Sequence, residues 1–125
     1  LVDWDLPNHE LRKLLDIADK LSWHTGTSRH SALIRYKKKT LSYGWSKKKS
    51  HPLCVEYQPN PERYYLHAEM DAIIKTMNKH GEEILRECSL YVLRIGNSGY
   101  IRGSQPCEGC QNMIEAVGIK SVRWS

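Results

Sequence analysis

An α/β domain is what this sequence predicts, on three observations. Its 125 residues are enough to bury one hydrophobic core and too few for two, so residues 1–125 are read as a single domain. Stretches with helical spacing alternate with short runs rich in β-branched and aromatic residues. Two of the predicted helices also open on groups that can hold a metal ion, His67-Ala68-Glu69 and Pro106-Cys107-Glu108-Gly109-Cys110.

The elements follow in order. Asn8 reads as the cap of a first helix over residues 9–22, in which Leu11, Leu14, Leu15, Ala18 and Leu21 form a stripe assigned to core packing. Gly26, with Thr25, Thr27 and Ser28, marks a loop. Ser31-Ala32-Leu33-Ile34-Arg35-Tyr36 and Thr40-Leu41-Ser42-Tyr43-Gly44 read as a hairpin turning at the lysines between them. Residues 45–61 contain Pro52, Pro59 and Pro61 without periodicity, which predicts a loop roofing a site. Tyr64-Tyr65-Leu66 is extended, and a helix runs from His67 to about Lys79 with Gly81 as its stop. Residues 82–87 add a helical turn. Ser89-Leu90-Tyr91-Val92-Leu93-Arg94-Ile95 is the clearest strand, and Gly96-Asn97-Ser98-Gly99 is the turn after it. The helix from Cys107 sends Met113, Ile114 and Val117 to the core and ends at Gly118, before a last strand at Ile119-Lys120-Ser121-Val122-Arg123-Trp124.

The two helix starts carry the chemistry. Cys107 and Cys110 are three residues apart behind a proline, so both sulfurs fall on one side of a first helical turn, near N–H groups that favour thiolate. With His67 they make one imidazole and two thiolates, the ligand set of a zinc site with an open fourth position. Glu69 lies two residues from His67 and does not share its helical face, so it is assigned to the reacting water rather than to the metal. Simpler readings stand beside this one. A C-x-x-C can be a redox pair, or half of a structural zinc site completed by Cys54 and Cys88, but those two are unpaired in sequence and such a site has no use for the helix start at His67.

H-x-E followed by P-C-x-x-C is the signature of the zinc deaminases, and on these residues the chain resembles the cytidine deaminase superfamily. Ser50-His51-Pro52-Leu53 resembles the corresponding stretch of small phage-encoded deoxycytidylate-deaminase-like proteins. The resemblance implies a three-layer α/β/α fold, a central mixed sheet of four to five strands flanked by helices. It implies Zn2+ on His67, Cys107 and Cys110, with Glu69 as the proton shuttle in hydrolytic conversion of cytosine to uracil. Backbone carbonyls near Ala68 and Ser104 are its candidates for holding the exocyclic amine. An asparagine that contacts the sugar in tRNA and polynucleotide deaminases is replaced here by Ser46, which keeps a hydroxyl. The 36 residues from 70 to 105 exceed the gap in those deaminases and imply an inserted hairpin or loop near the site. Many relatives add a fifth strand after the last one found here. This chain has no residues for it, so self-association over that edge is expected.

Charge bears on the substrate. The net charge is +5, but residues 20–55 hold nine basic residues (Lys20, Arg29, Arg35, Lys37, Lys38, Lys39, Lys47, Lys48, Lys49) and no acid, leaving 10 basic and 14 acidic residues elsewhere. Such segregation attracts polyanions. A strand path over Arg29, Arg35, Trp45, Lys47, Lys48, Lys49, Tyr64 and Tyr65 predicts cytosine deamination in a polynucleotide, with single-stranded DNA favoured. The alternative is a free cytidine or deoxycytidine nucleotide held by one phosphate clamp, with Arg29 and either Lys47 or His51 as candidates. A non-enzymatic reading is a zinc-stabilised nucleic-acid-binding module. Nothing in the sequence resembles a membrane span or a signal peptide, and Leu1 in place of Met reads as a trimmed start. With Cys54 and Cys88 as buried thiols, the expected compartment is the cytoplasm, or the host's cytoplasm if the chain is viral.

Overall fold

The computed structural model describes residue 2 and residues 4–23, 29–59, 65–96 and 99–125. The predicted loop at Gly26, Tyr64, and Asn97 and Ser98 of the predicted turn lie outside the described residues. The helices are α1 (Asn8–Asp19), α2 (Pro52–Tyr57), α3 (Ala68–His80) and α4 (Glu108–Val117). The strands are β1 (Arg29–Tyr36), β2 (Lys39–Trp45), β3 (Lys47–Ser50), β4 (Tyr65–Leu66), β5 (Cys88–Ile95), β6 (Ile101–Arg102) and β7 (Ser121–Trp124). Short 3-10 helices cover Lys20–Trp23 and Glu83–Glu87.

Five strands form the main sheet, in the order β2, β1, β5, with the far edge of β5 shared by β7 and β6. The β1–β2, β1–β5 and β5–β6 pairs are antiparallel, and β5–β7 is parallel, so the sheet is mixed. Side chains alternate across it, as the two-residue period of a strand requires. Leu33 of β1 and Tyr91 of β5 face one side and meet Leu14 of α1, while Leu93 and Ile95 meet Ala18. Ala32, Ile34, Leu90 and Val92 face the other side, against Met70, Ile73 and Ile74 of α3 and Met113, Ile114 and Val117 of α4. This is the α/β/α sandwich, with its main core between the sheet and α3/α4. Met70 and Ile73 are fully buried, and truncating either to alanine costs about 2–5 kcal/mol.

Strand β2 is stitched along α3. The Ser42 hydroxyl donates to the Ala72 carbonyl at 2.8 Å, Lys75 Nζ donates to the Tyr43 carbonyl at 2.9 Å, and the Trp45 N–H donates to Asp71 Oδ2 at 3.1 Å. Gly44 permits this approach. A Cβ there would lie 2.5 Å from the Ala72 nitrogen and closer still to the Ala68 carbonyl oxygen. The start of α3 is thereby fixed against the end of β2.

Three expectations need correction. Pro7, not Asn8, occupies the cap position of α1, and the helix passes into a 3-10 turn at Lys20 rather than running regularly to residue 22. The last strand starts at Ser121, not Ile119. Residues 45–61 do not form one irregular loop: they contain β3 and α2, the latter capped by His51, whose Nδ1 accepts from the Leu53 N–H at 3.1 Å, with Pro52 in its first turn. A helix of six residues has fewer than two turns, too short for apolar spacing to announce it. The stops at Gly81 and Gly118 are as expected. Within the long gap between residues 70 and 105, β5 and β6 pair antiparallel.

Candidate active site

Two helix starts meet at one point. His67 and Cys107 are the N-cap residues of α3 and α4, both in extended conformation, and neither uses its side chain to cap its own helix. Their side chains turn to each other. His67 Nδ1 lies 3.5 Å from Cys107 Sγ and 3.4 Å from Cys110 Sγ, and the three donor atoms all fall within 4.8 Å of one another. Both helices point their positive ends at this cluster, which favours thiolate over thiol. Glu69 is not one of the three converging donors, although its carboxyl is buried beside them.

Cys107 is held well below the usual thiol range, first by the hydrogen bond it receives from Cys110 and then by those from His67 and Gln58, against the effect of burial. Cys110 is pushed up by the same bond and by burial. Two adjacent sulfurs repel each other when both are ionised. A divalent ion would allow both to ionise. One borderline imidazole and two soft thiolates, with no ligating carboxylate, fit Zn2+ held by three protein ligands. Burial raises the pKa of Glu69, which is 4 % exposed. The Tyr65 ring stacks on the His67 imidazole, with centroids 4.5 Å apart and planes at 24°, and so fixes its orientation.

A cavity of about 280 Å³ opens beside the cluster, lined by His30, Ser46, Tyr65, His67, Ala68, Glu69, Arg94, Gly103, Gln105 and Cys107. Ser46, Ala68 and Tyr65 are thus brought together with Glu69 and two of the three donors. Ser104 lies between two lining residues, but its hydroxyl donates to the Val92 carbonyl at 3.0 Å. Like Ser104, three further predicted contacts are not among the residues lining the cavity. Arg29 bonds to Asp19 at 3.0 Å and to the carbonyls of Ala18 and Gly96. Trp45 lies under two ammonium groups, Lys75 Nζ at 3.7 Å and Lys47 Nζ at 4.4 Å from its ring centroid. Both lysines bond to Asp71, so this tryptophan is held on α3 rather than offered to a base. His51 is occupied in capping α2.

Residues that the sequence did not single out fill the remaining places. His30 and Arg94 are register partners on β1 and β5, and both line the cavity. Arg94 is in turn the register partner of Arg102 on β6. Each lies on the same face as its strand's inward-facing residues, yet no local pattern places two strands so distant in sequence side by side. Gln58 reaches the cluster from α2 and donates from Nε2 to Cys107 Sγ at 3.3 Å. Cys54 and Cys88 are fully buried, and burial raises both thiols. They take no part in the metal cluster.

The model of the cytidine and deoxycytidylate deaminase zinc-binding region matches residues 9–125. Among solved structures, the apo dCMP deaminase of the cyanophage S-TIM5 superposes with a TM-score of 0.59 at 22% identity, over 95% of this chain and 84% of that one. Its complex with dCMP and dUMP gives 0.55 at 24% identity, over 95% and 82%. Guanine deaminase from Bacillus subtilis gives 0.61 at 22% identity, over 95% of this chain and 64% of that one. At these identities the likeness is one of fold. No curated protein matches the chain significantly. Among the described residues, no helix is long and apolar enough to cross a membrane.

Proposed function

We propose, for a chain that belongs to the cytidine and deoxycytidylate deaminase family, that the substrate is a free cytidine or deoxycytidine nucleotide rather than a polynucleotide. The enzyme is a zinc-dependent cytosine or cytidine deaminase; the size of its substrate is the open step. One observation carries the proposal. His30 and Arg94 sit side by side at the cavity, whereas none of the nine basic residues between 20 and 55 lines it. A guanidinium and an imidazole on neighbouring strands together offer N–H donors to an anion in the cavity. One such pair suits one phosphate. The cavity volume lies near the lower end of small-molecule sites, roughly 300–1,000 Å³.

The residues then divide the work. When bound by His67, Cys107 and Cys110, Zn2+ supplies the Lewis acid that activates the attacking water. Glu69 takes the proton from that water and delivers it to the ring nitrogen N3 as oxygen bonds to C4. It then takes the proton of the hydroxyl now on C4 and passes it to the exocyclic amine, the C4–N bond breaks as C4=O forms, and cytosine and water become uracil and ammonia. Burial suits Glu69 to both steps, since a raised pKa makes it a better proton acceptor and lets it hold the proton between them. Ser46 and Arg94 both line the cavity; in this reading the Ser46 hydroxyl bonds to the sugar and Arg94 grips the phosphate.

A second reading retains a polynucleotide, because Lys48 and Lys49 are exposed on β3, whose partner β4 carries Tyr65 into the cavity wall. The test is kcat/KM for deoxycytidine and for its monophosphate, in the wild type and in Arg94→Ala. A phosphate worth about 1.5–3 kcal/mol to a charged donor predicts a preference of roughly 10- to 150-fold for the monophosphate, lost in the variant. Equal use of both substrates by the wild type, with single-stranded DNA deaminated faster, overturns the proposal.

A further inference from the structure

We propose that Gln58 is a positioning residue of the metal centre, its side-chain amide donating to the Cys107 sulfur and setting how tightly the three-donor cluster holds zinc. The inference rests on the zinc site and not on which substrate is used.

Gln58 is the residue on which α2 ends. Its own N–H closes the helix on the Cys54 carbonyl at 3.0 Å, and the helix is anchored by the buried Cys54 and by Asn112 Nδ2 of α4, which donates to the Tyr57 carbonyl at 3.1 Å. The backbone of Gln58 is therefore fixed relative to α4. Its side chain turns inward, leaving the residue 4 % exposed, and ends with Nε2 3.3 Å from Cys107 Sγ. A thiolate only accepts hydrogen bonds, so the amide must present its NH2 end to it.

The space for that side chain is made by Gly109, between the two cysteines. A Cβ at Gly109 would fall 2.5 Å from Gln58 Nε2 and closer to the amide carbon and oxygen. Thus the sequence Cys107-Glu108-Gly109-Cys110 supplies two sulfurs and, in the same turn, the slot through which a neutral donor reaches one of them. A donor on a ligand sulfur stabilises its charge and fixes its direction, and loss of such an outer partner commonly costs about 10- to 100-fold in metal affinity.

Gln58→Glu separates this role from packing, because it keeps the shape and replaces the NH2 donor by a carboxyl oxygen. Gln58→Leu removes the donor without adding charge, and serves if the glutamate variant does not fold. Gly109→Ala removes the slot and leaves Gln58 in the chain. The measurements are zinc affinity by chelator competition, the sulfur-to-cobalt charge-transfer band of the Co2+-substituted protein, and the melting temperature of the metal-free protein. The expected result is a loss of about 10- to 100-fold in zinc affinity with a shifted charge-transfer band in every variant that folds, and with metal-free Gln58→Leu melting as the wild type does. Zinc affinity within twofold of wild type overturns the proposal. So does weaker binding that comes with an unmoved cobalt band and an equally destabilised metal-free protein, since that is what packing alone would give.

Discussion

Residues 20–55 hold nine basic side chains and no acid, while among the described residues the cavity beside the metal cluster is lined by Arg94 with His30 next to it. The first region dominates the sequence, and the second is nearly invisible in it. Folding reverses their importance. Arg29 is committed to Asp19 and two carbonyls, Lys47 to Asp71 and the Trp45 ring, and Lys37, Lys38 and Lys39 lie at the β1–β2 turn. His30 is at the opposite end of β1 from that turn, roughly 20 Å away at about 3.3 Å per residue. Charge counted along a chain reports encounter with polyanions. Charge at a site depends on which strands are neighbours.

The largest effect should come from the cavity itself. Glu69→Ala is expected to lower turnover by about 10²- to 10⁴-fold while zinc content by atomic absorption stays that of the wild type. A variant that keeps its activity would remove the proton shuttle from the account and, with it, the reason for placing chemistry in this cavity. Next comes the scaffold that holds the site. Gly44→Ala forces a Cβ into the start of α3 and should cost about 1–3 kcal/mol, read as a lower midpoint of urea unfolding, with activity falling in step as His67 and Glu69 shift.

Smaller effects sharpen the contrast between the two basic regions. His30→Gln should raise KM for the monophosphate about fivefold, consistent with roughly 1 kcal/mol for a single hydrogen bond, and leave deoxycytidine unaffected. An equal change for both substrates would assign His30 to the base or the sugar. Replacing Lys37, Lys38 and Lys39 together by alanine should change kcat/KM for the monophosphate by less than twofold. A steep fall in that triple variant, with a strong salt dependence in the wild type, would restore the basic segment as a substrate path.

How much was legible follows from how locally each feature is encoded. His67 could be read as the residue before a helical run, Cys107 as the residue after Pro106 at a helix start, and Cys110 by its three-residue spacing from Cys107. The glycine stops at Gly81 and Gly118 were legible from local spacing, whereas the α/β/α architecture was implied by the resemblance that the two motifs carry. His30 and Arg94 were not legible, because their meeting depends on the β1–β5 register. Gln58 escaped notice because it ends a helix of six residues in a stretch where prolines hide the periodicity. Trp45 misled: an aromatic among lysines resembles a platform for bases, but here the lysines stack on it and pair with Asp71. The role of Gly44 lies in a contact with Ala68 and Ala72 of α3, which no strand pattern shows.

The most direct test of the substrate assignment is mass spectrometry of products from zinc-loaded protein offered deoxycytidine monophosphate and a cytosine-containing single-stranded oligonucleotide together, with Glu69→Ala as control. Deoxyuridine monophosphate as the product, with the oligonucleotide unchanged, is the predicted result. Uracil in the oligonucleotide with the monophosphate untouched would contradict it, and would return Lys48, Lys49 and the rest of the basic segment to the centre of the mechanism.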